Sequence, residues 1–166
     1  MYNSTKTYGH ELGLSAVFRQ WRADSHCNQL HGYALAFTFV FEAEELDDRN
    51  WVVDFGGLKD LKRELVAMFD HKLIIAQDDP QLEALRELEK IGIADVTILP
   101  AVGCEMFAEY ACELADQVLE AKGYYPRVRI KSVECREHGA NSAIYTPAYE
   151  SDLYEIIDHF YPEDPE

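Results

Sequence analysis

The chain has 166 residues, of which 48% are hydrophobic and 28% are charged, and its formal net charge at pH 7 is −16. This length and composition indicate one globular domain that can bury an ordinary core. The excess of carboxylates disfavours nucleic acids and anionic membranes as partners, because phosphate binding needs clustered Lys and Arg, but it leaves small anionic substrates open.

The first third of the chain has the pattern of strands. Residues 5–19 alternate loosely and predict an irregular first strand, and the polar residues 21–29 predict a loop. Residues 33–41 carry a bulky aromatic side chain or Leu at every second position, which predicts a strand with one bulky face. A short extended run follows at 51–55.

The middle of the chain changes to helical spacing, and strands return afterwards. Leucines repeating at helical intervals predict a helix over 58–69, and residues 78–95 predict a second, short helix with an acidic exposed face. A third helix is predicted from about 104 to 121, followed by strands at 127–134 and 141–145. This order predicts an α+β fold with helices on one face of an antiparallel sheet.

The cysteines and the N-terminal residues indicate a cytoplasmic protein. Four cysteines are present without any paired spacing, which predicts free thiols in a reducing compartment. The first six residues have no apolar segment of the kind that a secretion signal needs, and no apolar run reaches the roughly 18 residues of a membrane span.

The segment 25–33 has the residues of a chemical site. His26, Cys27 and His31 lie within six residues of one another, just before the aromatic strand. A thiol beside an imidazole can act as a nucleophile, a base or a metal ligand. A buried cysteine and a hydrogen-bonded histidine would explain the same spacing, so both interpretations stay open.

Two further groups are candidates for acid–base chemistry and binding. Asp70 and His71 follow the first helix, where a carboxylate can orient an imidazole, although a histidine also suits the negative end of a helix. Glu105 lies where the third helix begins. Glu134 lies inside an alternating strand, either on its solvent face or beside a ligand donor.

Five pieces of sequence, in order between residues 14 and 145, together resemble the 6-pyruvoyl-tetrahydropterin synthase / 6-carboxy-tetrahydropterin synthase family. The family pattern has a His on the first strand, Cys-x-x-x-His-Gly-His, Val-Asp-Phe-x-x-Leu-Lys before a helix, Asp-His, a Glu that opens a helix and a Glu on a late strand. The matching pieces are Cys27-Asn-Gln-Leu-His31-Gly32, Val53-Asp-Phe-Gly-Gly-Leu-Lys59, Asp70-His71, Cys104-Glu105 and Val133-Glu134.

The resemblance implies the tunnelling fold, or T-fold, in which a four-stranded antiparallel sheet has helices packed on one face. It implies a homo-oligomer, commonly a hexamer built as a dimer of trimers, with active sites between subunits. On this reading residues 1–166 form a single domain, with an insertion at about 77–98 and an acidic C-terminal tail at about 149–166.

The resemblance also implies a lyase. Such an enzyme converts 7,8-dihydroneopterin triphosphate to 6-carboxy-5,6,7,8-tetrahydropterin on the route to 7-deazaguanines such as queuosine. Cys27, Asp70 and His71 would be catalytic, and Glu105 and Glu134 would bind the substrate.

The sequence departs from the family at the zinc site, where three His are expected. The aligned positions hold Phe18, His31 and Tyr33, so His31 alone remains, with His26 as a possible second ligand and His138 as a third. One imidazole is too few for a tight zinc site. Without zinc, Arg19 and Lys59 are expected to help stabilise charge on the substrate.

Three functions therefore remain open. The first is the family lyase. The second is a metal-independent enzyme on the same fold that processes a dihydropterin by proton transfer between Cys27 and His71. The third is a non-catalytic protein that binds a pterin or a purine.

Overall fold

The structure is a computed structural model that describes residues 1–149, so the predicted acidic tail lies outside the described residues except for Tyr149. None of the helices in this part of the chain is long and apolar enough to cross a membrane. The strands are β1 Tyr2–Tyr8, β2 Leu14–Phe18, β3 His31–Ala43, β4 Lys72–Ala76, β5 Val96–Leu99, β6 Val128–His138 and β7 Asn141–Tyr145. The helices are α1 Lys59–Phe69, α2 Leu82–Lys90 and α3 Cys104–Ala121.

The long strand β3 organises the sheet. On one side it pairs antiparallel with β6, and on the other side it pairs with β1 along its second half and with β2 along its first half. The predicted irregular first strand is therefore two strands. They are separated by the short 3-10 turn His10–Leu12, which ends at Gly13 with a left-handed φ of 75° that suits glycine.

The sheet has more strands than the four expected. Strands β1, β2, β3, β6 and β7 form the antiparallel part of the sheet. Strand β4 pairs parallel with β2, and β5 pairs parallel with β4. Strand β4 went unpredicted because its apolar run, Leu73 to Ala76, is buried throughout and does not alternate. Much of the predicted insertion therefore follows β4. It contains α2 and most of β5, and β5 adds a strand to the edge of the sheet.

Helices α1 and α3 pack together on one face of the sheet, as predicted. Phe69 at the end of α1 lies 4.9 Å from Phe37 of β3 and 5.4 Å from Phe107 of α3, measured between ring centroids. Phe37, Phe69 and Phe107 are fully buried. Helix α3 has the predicted bounds. We call the apolar face of the sheet, on which α3 packs, the α3 face.

Candidate active site

Three aromatic side chains meet where β2 ends and β3 begins. Phe18 pairs with His31 in the β2–β3 register, and the ring centroids are 5.2 Å apart for Phe18 and His31, 6.1 Å for Phe18 and Tyr33, and 5.5 Å for His31 and Tyr33. Phe18 is buried and packs edge-on against Phe107 at 5.0 Å. We call Phe18, His31 and Tyr33 the aromatic corner. It lies on the α3 face of the sheet.

Cys27 lies close to the aromatic corner, on the short 3-10 turn His26–Asn28. Its backbone N–H donates to Ser25 Oγ at 3.3 Å, its carbonyl accepts from the Gln20 N–H at 2.9 Å, and its side chain is half-buried. Burial raises the pKa of Tyr33, and the charges of Glu137 and Cys27 raise it further. The Tyr33 hydroxyl therefore stays a neutral hydrogen-bond donor at physiological pH.

Two carboxylates lie around this site. Glu105 begins α3 and is exposed, with its Oε2 atom 3.5 Å from the position that a Cβ on Gly103 would take. Glu137 is half-buried and lies at the register shift between Arg136 and His138 in β6. Its negative charge contributes to the raised pKa of Tyr33. Within residues 1–149 neither carboxylate has a hydrogen bond or an ion pair, so both can accept hydrogen bonds from a ligand.

Glu134, the strand carboxylate singled out from the sequence, is not part of this cluster within one chain. Its neighbours Val133 and Cys135 are buried, and Cys135 Sγ lies 3.7 Å from Cys104 Sγ on α3. Because strand side chains alternate, Glu134 lies on the opposite face, where it forms an ion pair with Arg136. Glu137, which sequence reasoning missed, lies at the register shift between Arg136 and His138, where the strand alternation is interrupted, so strand parity does not assign its face.

The predicted pair of Asp70 and His71 is formed, but it does not lie at the aromatic corner of the same chain. Asp70 Oδ1 accepts from His71 Nδ1 at 2.8 Å and from the Ser15 N–H at 3.3 Å. Ser15 is three residues before Phe18, roughly 10 Å along the strand. His71 has a positive φ of 56°, and its side chain is 85% exposed. The imidazole is therefore open to a neighbouring molecule.

The carboxyl of this pair is held in its ionised form. Partial burial by itself would raise the pKa of Asp70, but hydrogen bonds from the Ser15 N–H and from His71 outweigh it and lower the pKa below its ordinary value. An ionised Asp70 fixes the proton on His71 Nδ1. Nε2 is then left to exchange a proton with a substrate.

Of the two predicted cationic ligands, Arg19 directly follows Phe18 of the aromatic corner, whereas Lys59 lies at the start of α1. Arg19 donates from Nε and Nη2 to the buried carboxylate of Asp79, at 2.8 and 2.6 Å, and from Nη1 to the Asn28 carbonyl at 3.2 Å. Its donors therefore hold the Cys27 turn against the segment after β4. Lys59 opens α1, about 16 Å of helix away from Asp70 at the other end.

The side chains present do not fit a tight zinc site. Phe18 has no donor atom, neutral Tyr33 is a weak ligand, and His31 directs Nδ1 at the Gln29 carbonyl, 2.7 Å away, which leaves only Nε2. His26 is exposed, and both ring nitrogens of His138 contact its own turn. Within residues 1–149 no group of three or more His, Cys, Asp or Glu could hold a metal ion.

Comparisons with known proteins identify relatives over most of the chain. A family model described as 6-pyruvoyl tetrahydropterin synthase matches residues 10–148. A 6-carboxy-5,6,7,8-tetrahydropterin synthase of Aquifex aeolicus is 26% identical over 137 residues, which cover 80% of this chain and 83% of the relative. The protein of that name from Rickettsia conorii is 37% identical over 57 residues, which cover 34% of this chain and 41% of the relative.

Solved structures share the fold. An uncharacterized protein from Wolinella succinogenes superposes with a TM-score of 0.73 at 22% identity, covering 89% of this chain and 98% of that one. A 6-pyruvoyl tetrahydropterin synthase from Plasmodium falciparum superposes with a TM-score of 0.64 at 14% identity, covering 89% and 99%. These likenesses confirm the α+β tunnelling fold.

Proposed function

This chain belongs to the 6-pyruvoyl tetrahydropterin synthase family, and we propose that it is a pterin-converting lyase of the 6-carboxy-5,6,7,8-tetrahydropterin synthase type. The observation that carries the proposal is the family match over residues 10–148, together with a half-buried thiol, Cys27, on the turn that leads into the aromatic corner. The residues of the candidate site can bind a pterin ring and move protons on its side chain.

The proposed substrate is 7,8-dihydroneopterin triphosphate. The pterin ring presents adjacent N–H donors that a single carboxylate can accept as a pair. Glu137 is the proposed anchor of the pterin ring. It is half-buried, it has no hydrogen bond or ion pair within residues 1–149, and its charge contributes to the raised pKa of Tyr33. Glu105 follows Cys104, which contacts Cys135 of β6, and it is the proposed second contact to the pterin ring.

The proposed reaction takes up one water and breaks the substrate side chain. The products are 6-carboxy-5,6,7,8-tetrahydropterin, acetaldehyde and triphosphate. Cys27 is the proposed base that takes a proton from the side chain. Asp70 and His71 of a neighbouring copy are the proposed partners that return protons, since His71 is exposed and remote from Cys27 in its own chain.

This assignment carries three further proposals. The working form is a homo-oligomer, on the family pattern a dimer of trimers, because the site needs the Asp70–His71 pair from a second copy. The protein acts in the cytoplasm. Its product serves a route to 7-deazaguanines such as queuosine.

The test is turnover by the purified, assembled protein. With 7,8-dihydroneopterin triphosphate, we expect acetaldehyde and 6-carboxytetrahydropterin to form, and Cys27→Ala to lower kcat by at least about a hundredfold. Glu137→Gln should raise the Kd for the pterin, whereas the matched variant Glu134→Gln should leave it unchanged. Pterin binding without any product, in wild type and in Cys27→Ala alike, would instead indicate a non-catalytic binding protein.

A further inference from the structure

The aromatic corner occupies the position where the family pattern has its three zinc-binding histidines. Phe18 is only 3% exposed, and it packs against His31, Tyr33 and Phe107 at centroid distances between 5.0 and 6.1 Å. A ring packed on three sides is part of the core, so it cannot turn away to admit a metal. A side chain that has no donor atom therefore occupies one of the three ligand positions.

The two other members of the corner keep polar atoms available. His31 Nδ1 lies 2.7 Å from the Gln29 carbonyl, and because a carbonyl can only accept, Nδ1 carries the proton. In the uncharged tautomer that carries its proton on Nδ1, Nε2 is the acceptor. The Tyr33 hydroxyl has no hydrogen bond within residues 1–149, and its ring centroid lies 5.5 Å from that of His31.

A donor and an acceptor side by side are the pattern that binds the oxygens of a polyol side chain. A zinc ion would polarise these oxygens as a Lewis acid. A phenol can instead donate a hydrogen bond to an oxygen that gains negative charge, and an imidazole can accept from a hydroxyl.

We propose that the aromatic corner is a metal-free replacement for the family zinc site. In it Tyr33 Oη donates to, and His31 Nε2 accepts from, the vicinal side-chain hydroxyls of the substrate. The identity of the substrate rests on the proposed function, whereas the absence of a tight zinc site rests on the side chains present, above all on Phe18 and Tyr33. The two parts can therefore fail separately.

The first experiment measures metal binding without reference to activity. Wild-type protein and the double variant Phe18→His/Tyr33→His are incubated with zinc, desalted and analysed for metal. We expect less than roughly a tenth of a zinc ion per chain in wild type and about one in the double variant, which restores three imidazoles. Cobalt in place of zinc should give the visible spectrum of a tetrahedral site in the double variant only.

Stoichiometric zinc in wild type that is lost in His31→Ala would overturn the inference. Should the double variant fail to fold, wild type is compared with His31→Ala alone, and equal, near-zero zinc in both supports the inference. The surface variant His26→Ala serves as a control for adventitious binding.

The second experiment tests the Tyr33 hydroxyl. Tyr33→Phe keeps the ring and its packing, and we expect it to lower kcat by about a hundredfold with little change in KM, because one charge-stabilising donor is lost. Tyr125→Phe, at an exposed tyrosine, should change neither. Turnover by wild type should survive a chelator.

The outcomes separate the two proposals. Wild-type turnover that a chelator abolishes and zinc restores would overturn the metal-free site while leaving the lyase assignment intact. Unchanged kcat in Tyr33→Phe would overturn the role of its hydroxyl. A zinc-free wild type that does not turn over the pterin would contradict the proposed function and leave the metal-free corner standing.

Discussion

Asp79 holds the Cys27 turn in place through Arg19, and removing its charge should loosen that turn. The Asp79 side chain is 1% exposed and accepts two hydrogen bonds from Arg19, at 2.8 and 2.6 Å, and one from the Gln81 N–H at 2.8 Å. Arg19 also donates to the carbonyl of Asn28, the residue after Cys27. Asp79→Asn removes the charge and keeps the shape.

The expected loss of stability follows from burial. Breaking one side of a buried ion pair costs about 3–5 kcal/mol, and Arg19 is 21% exposed, which places Asp79→Asn near the lower end, about 3 kcal/mol. With a urea m-value of about 2 kcal/mol/M, the unfolding midpoint should fall by about 1.5 M. The matched control is Asp78→Asn, because Asp78 and its partner Arg22 are 47% and 58% exposed and water screens their attraction, so the unfolding midpoint should hardly change.

The assays are urea unfolding at one protein concentration and the rate of thiol alkylation at Cys27. Hydrogen bonds from Arg19 lower the pKa of Asp79, so its contribution is complete above the ordinary carboxyl value of about 3.9 and is lost as the pH falls through the lower folded value. The free energies of unfolding of wild type and Asp79→Asn, plotted against pH, should therefore converge below about pH 4. Equal midpoints for Asp79→Asn and Asp78→Asn, with unchanged alkylation, would refute this account.

Three other predictions follow from the packing and charges. Phe107→Ala should lower the free energy of unfolding by about 3–5 kcal/mol in urea melts, because this ring is fully buried, whereas the half-exposed Phe55→Ala should cost under about 1 kcal/mol. Glu137→Gln should weaken pterin binding in calorimetry by at least about tenfold, through loss of charged hydrogen bonds, and an unchanged Kd would exclude Glu137 as the anchor. Because its pKa is lowered, Asp70 should keep orienting His71 at pH 4, near the ordinary carboxyl value of about 3.9, and Asp70→Asn should lower kcat there and at pH 7 by similar factors. Equal kcat values for Asp70→Asn and wild type would contradict this.

Local patterns predicted most of the fold. The helical period placed α3 correctly at Cys104–Ala121, and the alternating aromatics located β3. Strand β4 has no alternation because both of its faces are buried, so its period could not distinguish it from other apolar runs. The parallel pairing of β4 with β2 is a contact between distant segments that no local pattern contains.

The geometry of the candidate site depends more on contacts between distant segments. Motif spacing pointed to Cys27 and His31, four residues apart in the sequence, but it could not indicate which face of β6 a glutamate occupies. The burial of Val133 and Cys135 shows that Glu134 lies on the opposite face of β6, and the register shift at residue 137 interrupts the alternation before Glu137. Arg19 has the chemistry of a substrate ligand, but its buried partner Asp79 lies 60 residues further along the chain.

The proposed lyase cleaves a dihydropterin side chain through Cys27. The most direct measurement is acetaldehyde release from 7,8-dihydroneopterin triphosphate by the assembled protein, comparing wild type with Cys27→Ala. We expect sustained release by wild type and a rate at least about a hundredfold lower in the variant. No release by wild type, or equal release by both proteins, would contradict it.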